Sequence, residues 1–321
     1  MRKRMKALVK FRKGVGNMEI QDFPEPKAGA EDVKIKVKAC GARENRAEIP
    51  LDARARGDII REDKGQEVTN LKLFLNPQAG MSGDMMVGAL VGLGATSTRI
   101  KSAMETVGRF LGDARVRIYP HRKMDTQATK VDVFFEPSPH GVDREKTRKA
   151  LREAVKGLCL PEAYVQFAQE SLDILFDAEE EAHREIPGFT NPSHLHEATD
   201  ILMDILGSAV ALQELGFFPK KNIYCLEPVY VGGGKVSFSH GTFPVPAPAT
   251  KRILDRYKIP YQKGPLEVEL LTPTGAALLT GMVRDFLARE RKEELVVRKR
   301  GYGAGAMDLD VPNVLEVIVA Q

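Results

Sequence analysis

SHLHEATDILMDILG, residues 193–207, places two histidines, one glutamate and two aspartates within fifteen positions, interleaved with an apolar run. At about 100° per residue, His196, Glu197, Asp200 and Asp204 fall within roughly one 100° sector of a helix. Ile201, Leu202, Ile205, Leu206 and Ala209 fall on the opposite side. The stretch reads as an amphipathic helix that starts near His196 and runs to about Leu215, with an acid-and-histidine face. His194 and His196 are two residues apart, which suits an extended approach to that helix. Gly207 and Ala211 continue the polar face with very small side chains, although a mid-helix glycine costs about 1 kcal/mol relative to alanine. A solvated face has no need of glycine, so close approach of backbone or ligand is expected there. Imidazole with carboxylate suits nickel or zinc, and the acids also suit Mg2+ or Mn2+. The plain alternative is a solvated polar face.

Around this stretch the chain divides in three. In residues 1–41, KALVKF, MEIQDF and DVKIKVKAC read as strands, the last alternating apolar and charged residues. Residues 42–70 are highly charged with little apolar periodicity and read as a linker. From Leu71 a body begins. LKLFL and the closing VLEVIV read as buried strands, ARVRIYP and QATKVDVFF as a pair, and NIYCLEPVYV as another strand. Helical patterns cover residues 87–95, 98–111, 143–157, 161–184, 249–257 and 274–289. The expected fold class is α+β, with mixed sheet and packed helices joined by long Gly/Pro-rich loops, behind a short β-rich segment.

Several loops carry residues suited to chemistry. QAGMSGDMM (78–86) is a Gly/Ser turn between a strand and a helix, whose N–H groups can hold phosphate, with Gly80, Ser82 and Gly83 in the turn. Asp84 there can bind a metal or cap the helix. No GxxxxGK[ST] loop is present. VGGGKVSFSHGTFPVPAPAT (231–250) combines Gly233, Gly234 and Lys235 with His240, a candidate ligand or acid/base group that could equally be a surface side chain. In ELLTPTGAALL (269–279), Thr272 suits an N-cap with Pro273 behind it, and Thr272, Thr274 and Gly275 could instead seat a phosphate. GYGAGAMDLDVPN reads as a Gly-rich loop, and His121, His140 and His183 as structural or surface residues.

Composition bounds the function. Hydrophobic residues make up 43% and charged residues 29% of the 321-residue chain, as in soluble domains. No run approaches the ~18 apolar residues of a membrane helix, so neither a membrane nor a secretory route is expected and the cytoplasm is. The net charge of +4 is uneven, with +5 in residues 1–70 and −1 in the body, which gives no nucleic-acid footprint. Cys40, Cys159 and Cys225 form no CxxC pair.

Taken in order, AGMSGDMM, HLHEATDILMDILGSAVAL, VGGGKVSFSHGTFPVPAPAT, ELLTPTGAALL and GYGAGAMDLDVPNVLEV resemble the LarC family, the nickel-insertion proteins of the lactate racemase system. The resemblance covers roughly residues 71–319. It implies a chelatase that inserts Ni2+ into pyridinium-3,5-bisthiocarboxylic acid mononucleotide to form the nickel-pincer nucleotide, with CTP as co-substrate and Mg2+ or Mn2+. It implies nickel at His194, His196, Glu197, Asp200 and Asp204. It further implies catalytic roles for Asp84, Glu197 and His240, and precursor binding by Gly80, Ser82, Gly83, Gly233, Gly234, Lys235, Thr272, Thr274 and Gly275. A homo-oligomer is expected, with lactate racemase or a related pincer enzyme as recipient. This chain departs in having Asn76 where the family has an aspartate, and in a spacing from Glu197 to Asp200 about two residues shorter. The family's C-terminal domain is absent after Gln321, so a separate C-terminal subunit is expected. Residues 1–41 resemble instead the start of zinc-dependent medium-chain alcohol dehydrogenases. They lack that family's next zinc-ligating cysteine and its nucleotide-binding half, so dehydrogenase activity is not expected. The remaining alternatives are a non-catalytic nickel or precursor binding module and a metal-dependent hydrolase.

Overall fold

The structure is a computed structural model that describes residues 4–10, 18–24, 71–136, 141–185, 193–238 and 241–321. The chain separates into two units, Met1–Gln66 and Glu67–Gln321. In the first, β1 (Arg4–Lys10) pairs antiparallel with β2 (Met18–Pro24). These are the first two expected N-terminal strands. The third, DVKIKVKAC, the charged linker, His140 and His240 all lie outside the described residues.

The second unit is built on a seven-stranded mixed sheet. Its strands are β3 (Lys72–Asn76), β4 (Ala114–Lys123), β5 (Thr126–Phe135), β8 (Ile223–Glu227), β13 (Asp285–Ala288), β14 (Val297–Ala304) and β15 (Val314–Ala320), in the order β13-β8-β3-β15-β14-β5-β4. The β4–β5 hairpin forms as expected, with Ala114 opposite Phe135 and Lys123 opposite Thr126. It joins the rest of the sheet through a single parallel register pair, Gly303 with Thr129. Helices α1 (Gly83–Gly92), α2 (Ser97–Gly108) and α5 (Ala198–Leu215) pack on one face. α3 (Arg144–Lys156), α4 (Glu162–Arg184), α6 (Pro248–Arg256) and α7 (Pro273–Met282) complete the helical side, where Tyr164, Phe167 and Phe176 are fully buried. On the other sheet face Phe74, Leu226, Ile318 and Ala320 form a smaller apolar cluster. Short pairs complete the unit: β6 (Val142–Asp143) with β7 (His194–Leu195), β9 (Val229–Tyr230) with β12 (Tyr261–Gln262), and hairpin β10 (Lys235–Phe238) with β11 (Gly241–Pro244).

Four expectations are corrected. The opening helix starts at Ala198, so His196 and Glu197 belong to the turn before it. Nor is that helix amphipathic in the solvent-facing sense, since Ala198, Thr199 and every residue from Ile201 to Leu212 are buried and Asp204 lies inside with them. The helix expected over 274–289 ends at Met282, and Asp285–Ala288 forms an edge strand instead. GYGA of the expected Gly-rich loop is the end of β14. The reason for the last is packing. A Cβ on Gly303 would stand 1.7 Å from the Met85 carbonyl oxygen of α1, so the strand has glycine where the helix crosses it.

Gly303→Ala is expected to destabilise the fold by about 3 kcal/mol, because backbone of α1 must move. Gly112→Ala, where nothing lies within 4 Å, is expected to stay within about 0.5 kcal/mol. Urea unfolding of both variants checks the pair.

Candidate functional site

The site forms where α1 and α7 begin. Met81 N–H donates to the Leu270 carbonyl at 2.9 Å and Thr272 N–H to the Met81 carbonyl at 3.2 Å. AGMSG and LLTPTG therefore lie side by side, with their helix N-termini adjacent. Thr272 caps α7, its Oγ1 accepting from Gly275 N–H at 3.0 Å, with Pro273 at the first helical position as expected. Asn313, 2% exposed, ties the turn to the loop after β14, donating to the Ala79 carbonyl at 2.8 Å and accepting from Met307 N–H at 3.3 Å. The sequence reading passed over Asn313.

Asp84 does not cap α1. Its Oδ1 accepts from Ser82 Oγ, and its Oδ2 from Lys130 Nζ of β5 at 2.7 Å. Its backbone N–H pulls the Asp204 pKa down, against the larger effect of burial. A Cβ on Gly83 would stand 2.1 Å from Asp204 Oδ2, so glycine there lets α1 and α5 meet at the acid. Asp84, Asp200 and Asp204 thus form one acidic nest, and Glu197 raises the Asp200 pKa through its charge. Asp204 Oδ1 is buried without a hydrogen-bond partner. Gly207, in contrast, is explained by packing. A Cβ there would stand 2.9 Å from Met104 Cγ of α2 and 3.1 Å from Val87 Cγ2 of α1.

His194 and His196 bring their Nε2 atoms to 3.0 Å. Two adjacent ligands on an octahedral ion with bonds of about 2.1 Å stand about 3 Å apart, so this spacing fits two nitrogens on one metal. It fits equally a hydrogen bond between two neutral rings. His194 is held by β7 pairing with β6 and packs over Gly141. His183, at the end of α4, stacks on His194 with ring centroids 4.9 Å apart, and its Nε2 lies 3.8 Å from Glu179 Oε2. His183, expected to be a structural or surface residue, is therefore buried as part of the histidine cluster. The Glu179–His183 spacing of four residues was the signal in the sequence. Among the described residues, no three His, Cys, Asp or Glu side chains are arranged to hold a metal ion as they stand.

The other expected residues divide. Leu270 N–H donates to the Val231 carbonyl at 3.0 Å, so the GGG segment shares with Met81 the strip 267–272. The glycines face that strip, a Cβ on Gly232 falling 1.8 Å from the Val268 carbonyl oxygen and one on Gly233 3.0 Å from the Glu267 carboxylate. Lys235 is exposed on β10. Asn76 donates to Glu316 Oε2 at 2.6 Å; an aspartate there would face that carboxylate. A surface groove of about 540 Å3 between α2 and β4, lined by Lys101, Arg117 and Tyr119 among others, shares no residue with the site.

Burial, then the charges of Glu197 and Asp84, push Asp200 up to about 7 against the pull of Lys130. Burial likewise pushes Asp204 well above the usual carboxylate range, with Asp200 and Asp84 adding to it. Glu179 is pushed up to about 7 by burial and Glu269, and Glu269 to about 7 by burial. A raised carboxyl holds its proton more tightly in the folded state, so folding is penalised once pH exceeds the unfolded value. The metal-free wild type is expected to lose stability relative to Asp200→Asn as pH rises from 3.8 to about 7. Melting temperatures of both across that window check this, and a constant difference would contradict it.

A family model described as nickel insertion protein matches residues 73–321. A pyridinium-3,5-bisthiocarboxylic acid mononucleotide nickel insertion protein of Thermotoga sp. (strain RQ2) is 36% identical over 254 residues, 76% of this chain and 60% of that protein. One of the same name from Staphylococcus epidermidis (strain ATCC 12228 / FDA PCI 1200) is 32% identical over 249 residues, covering 77% and 58%. A candidate nickel insertion protein of Methanothrix thermoacetophila is 37% identical over 252 residues, covering 78% and 59%. The chain thus spans about three-fifths of the length of these relatives. No solved structure matches it, and no helix among the described residues is long and apolar enough to cross a membrane. By the match over most of its length, the chain belongs to the nickel insertion protein family.

Proposed function

We propose that this chain carries the metal-holding and phosphate-seating part of a nickel-inserting enzyme, acting on pyridinium-3,5-bisthiocarboxylic acid mononucleotide. The observation that carries the reading is the paired Nε2 atoms of His194 and His196 at 3.0 Å, next to an acidic nest at two helix N-termini. Nickel is cargo here and must leave, so a two-nitrogen cradle with carboxylates nearby suits it better than a closed cage. The thiocarboxylate groups of the substrate are softer donors than imidazole or carboxylate. Transfer therefore runs from nitrogen and oxygen ligands to sulfur. The mononucleotide phosphate is seated on Ser82 and Gly83 of α1 or on Thr274 and Gly275 of α7, where the helix dipoles favour an anion; at α7 it takes the Gly275 N–H that Thr272 Oγ1 now holds. Glu197 joins His194 and His196 as a ligand, and His240 serves as an acid/base group. CTP with Mg2+ or Mn2+, a separate C-terminal subunit, a homo-oligomer and a recipient pincer enzyme such as lactate racemase belong to the same proposal.

His194→Ala with His196→Ala is expected to weaken Ni2+ binding more than tenfold, read by calorimetry. Unchanged affinity would remove the assignment. Because protons compete with Ni2+ for the ligand nitrogens, wild-type affinity is expected to fall as pH is lowered. Incubation with Ni2+, Mg2+, CTP and precursor, followed by mass spectrometry, reads insertion itself; a folded, nickel-binding chain that yields no product would point to a carrier or to a half-enzyme that needs a second subunit.

A further inference from the structure

We infer that Lys130 is an internal counter-ion, its ammonium standing against the Asp84–Asp200–Asp204 nest where a hard divalent cation binds once Lys130 is displaced. The nest rests on geometry from three elements. Asp84 comes from the first turn of α1, Asp200 and Asp204 from α5, and Lys130 from β5. Lys130 is 12% exposed, and its Nζ donates to Asp84 Oδ2 at 2.7 Å and to the Ala304 carbonyl at 3.3 Å. It opposes the charges of both Asp200 and Asp204.

One ammonium does not satisfy this nest. Asp204 is 3% exposed, yet its Oδ1 has no hydrogen-bond partner. A buried carboxylate oxygen left bare costs free energy, and native structures pair such groups or place them on a cation. An ammonium brings one charge and three donors. A divalent cation of the Mg2+ or Mn2+ class brings two charges and takes about six oxygen ligands. The donors here are all oxygen, whereas those of the histidine cluster are nitrogen, so the two halves of the site select differently. Hard cations go to the nest and nickel to the histidines. Lysine is suited to the exchange, being a point charge on a flexible four-carbon stem. Mg2+ is commonly held by one or two carboxylates together with a substrate phosphate, and the nest lies at the start of α1. Only this last point, the link to a phosphate, rests on the proposed function.

The test uses the whole chain and Mn2+ alone, without nickel or precursor, so its outcome is independent of whether nickel insertion occurs. Mn2+ affinity is measured by calorimetry for wild type, Lys130→Gln, Lys130→Arg and Asp204→Asn. Lys130→Gln is expected to bind Mn2+ about tenfold more tightly than wild type, Lys130→Arg no more tightly, and Asp204→Asn at least tenfold more weakly. In chelator, Lys130→Gln is expected to melt below wild type, with Mn2+ restoring the difference. Equal or weaker Mn2+ binding by Lys130→Gln would overturn the inference and make Lys130 a fixed strut. If Lys130→Gln does not fold without a cation, it is refolded with Mn2+ and with chelator. Recovery only with Mn2+ supports the exchange, and equal recovery in both overturns it.

Discussion

Helix α1 lies so close to its neighbours that side chains are excluded at its crossings. On the sheet side, a Cβ at Gly303 would stand 1.7 Å from the Met85 carbonyl oxygen, and one on Gly88 of the helix 2.5 Å from that of Thr129. On the helix side, Gly83 admits Asp204 of α5. This double contact fixes the rest. It sets the height at which Asp84 leaves the helix, and so places its carboxylate between Lys130 of β5 and Asp204 of α5. It also brings the Ser82 turn against the start of α7. A fold with one methyl more at either crossing would hold α1 further off and separate these groups.

The site is costly to keep. Asp200, Asp204, Glu179 and Glu269 are all held above the usual carboxylate range by burial. Elsewhere the same chain treats a carboxylate differently. Glu316 is buried too, but Lys292, Asn76, Arg300 and Tyr302 all donate to it. Despite desolvation, its pKa falls, with the bond to Lys292 the foremost of the lowering causes. A molecule able to satisfy one buried acid so fully leaves Asp204 with a bare oxygen. The two carboxylates thus differ in how far the fold itself satisfies them.

Much of the architecture was legible because apolar period declares it. The strands LKLFL and VLEVIV, the β4–β5 pair and helices α2, α3, α4 and α6 fall within a few residues of where periodicity puts them. The Thr272 cap was legible from chemistry. What failed did so for identifiable reasons. Gly301 and Gly303 read as loop, because the helix that requires them is more than two hundred residues away in sequence. Asp285–Ala288 reads as helix because its pairing with β8 is non-local. Of the site, the acids and the His194–His196 pair were visible as a local cluster. Lys130, His183 and Asn313 were not singled out, since each acts across the fold: Asn313 is only the end of the GYGAGAMDLDVPN stretch, and His183 offers only its four-residue spacing from Glu179.

The seam between β14 and β5 gives the sheet an uneven mechanical character. A ladder of one register pair, Gly303 with Thr129, joins the β4–β5 hairpin to five strands that are otherwise laced more fully. The hairpin is held to the body there by packing of Ala114, Val116 and Val131 into the core shared with α1 and α2 as well as by that ladder. Lys130 follows Thr129 directly, so the residue that balances the nest's charge sits beside that seam. The nest thus takes its carboxylates from two helices and its positive charge from the hairpin that this narrow seam attaches.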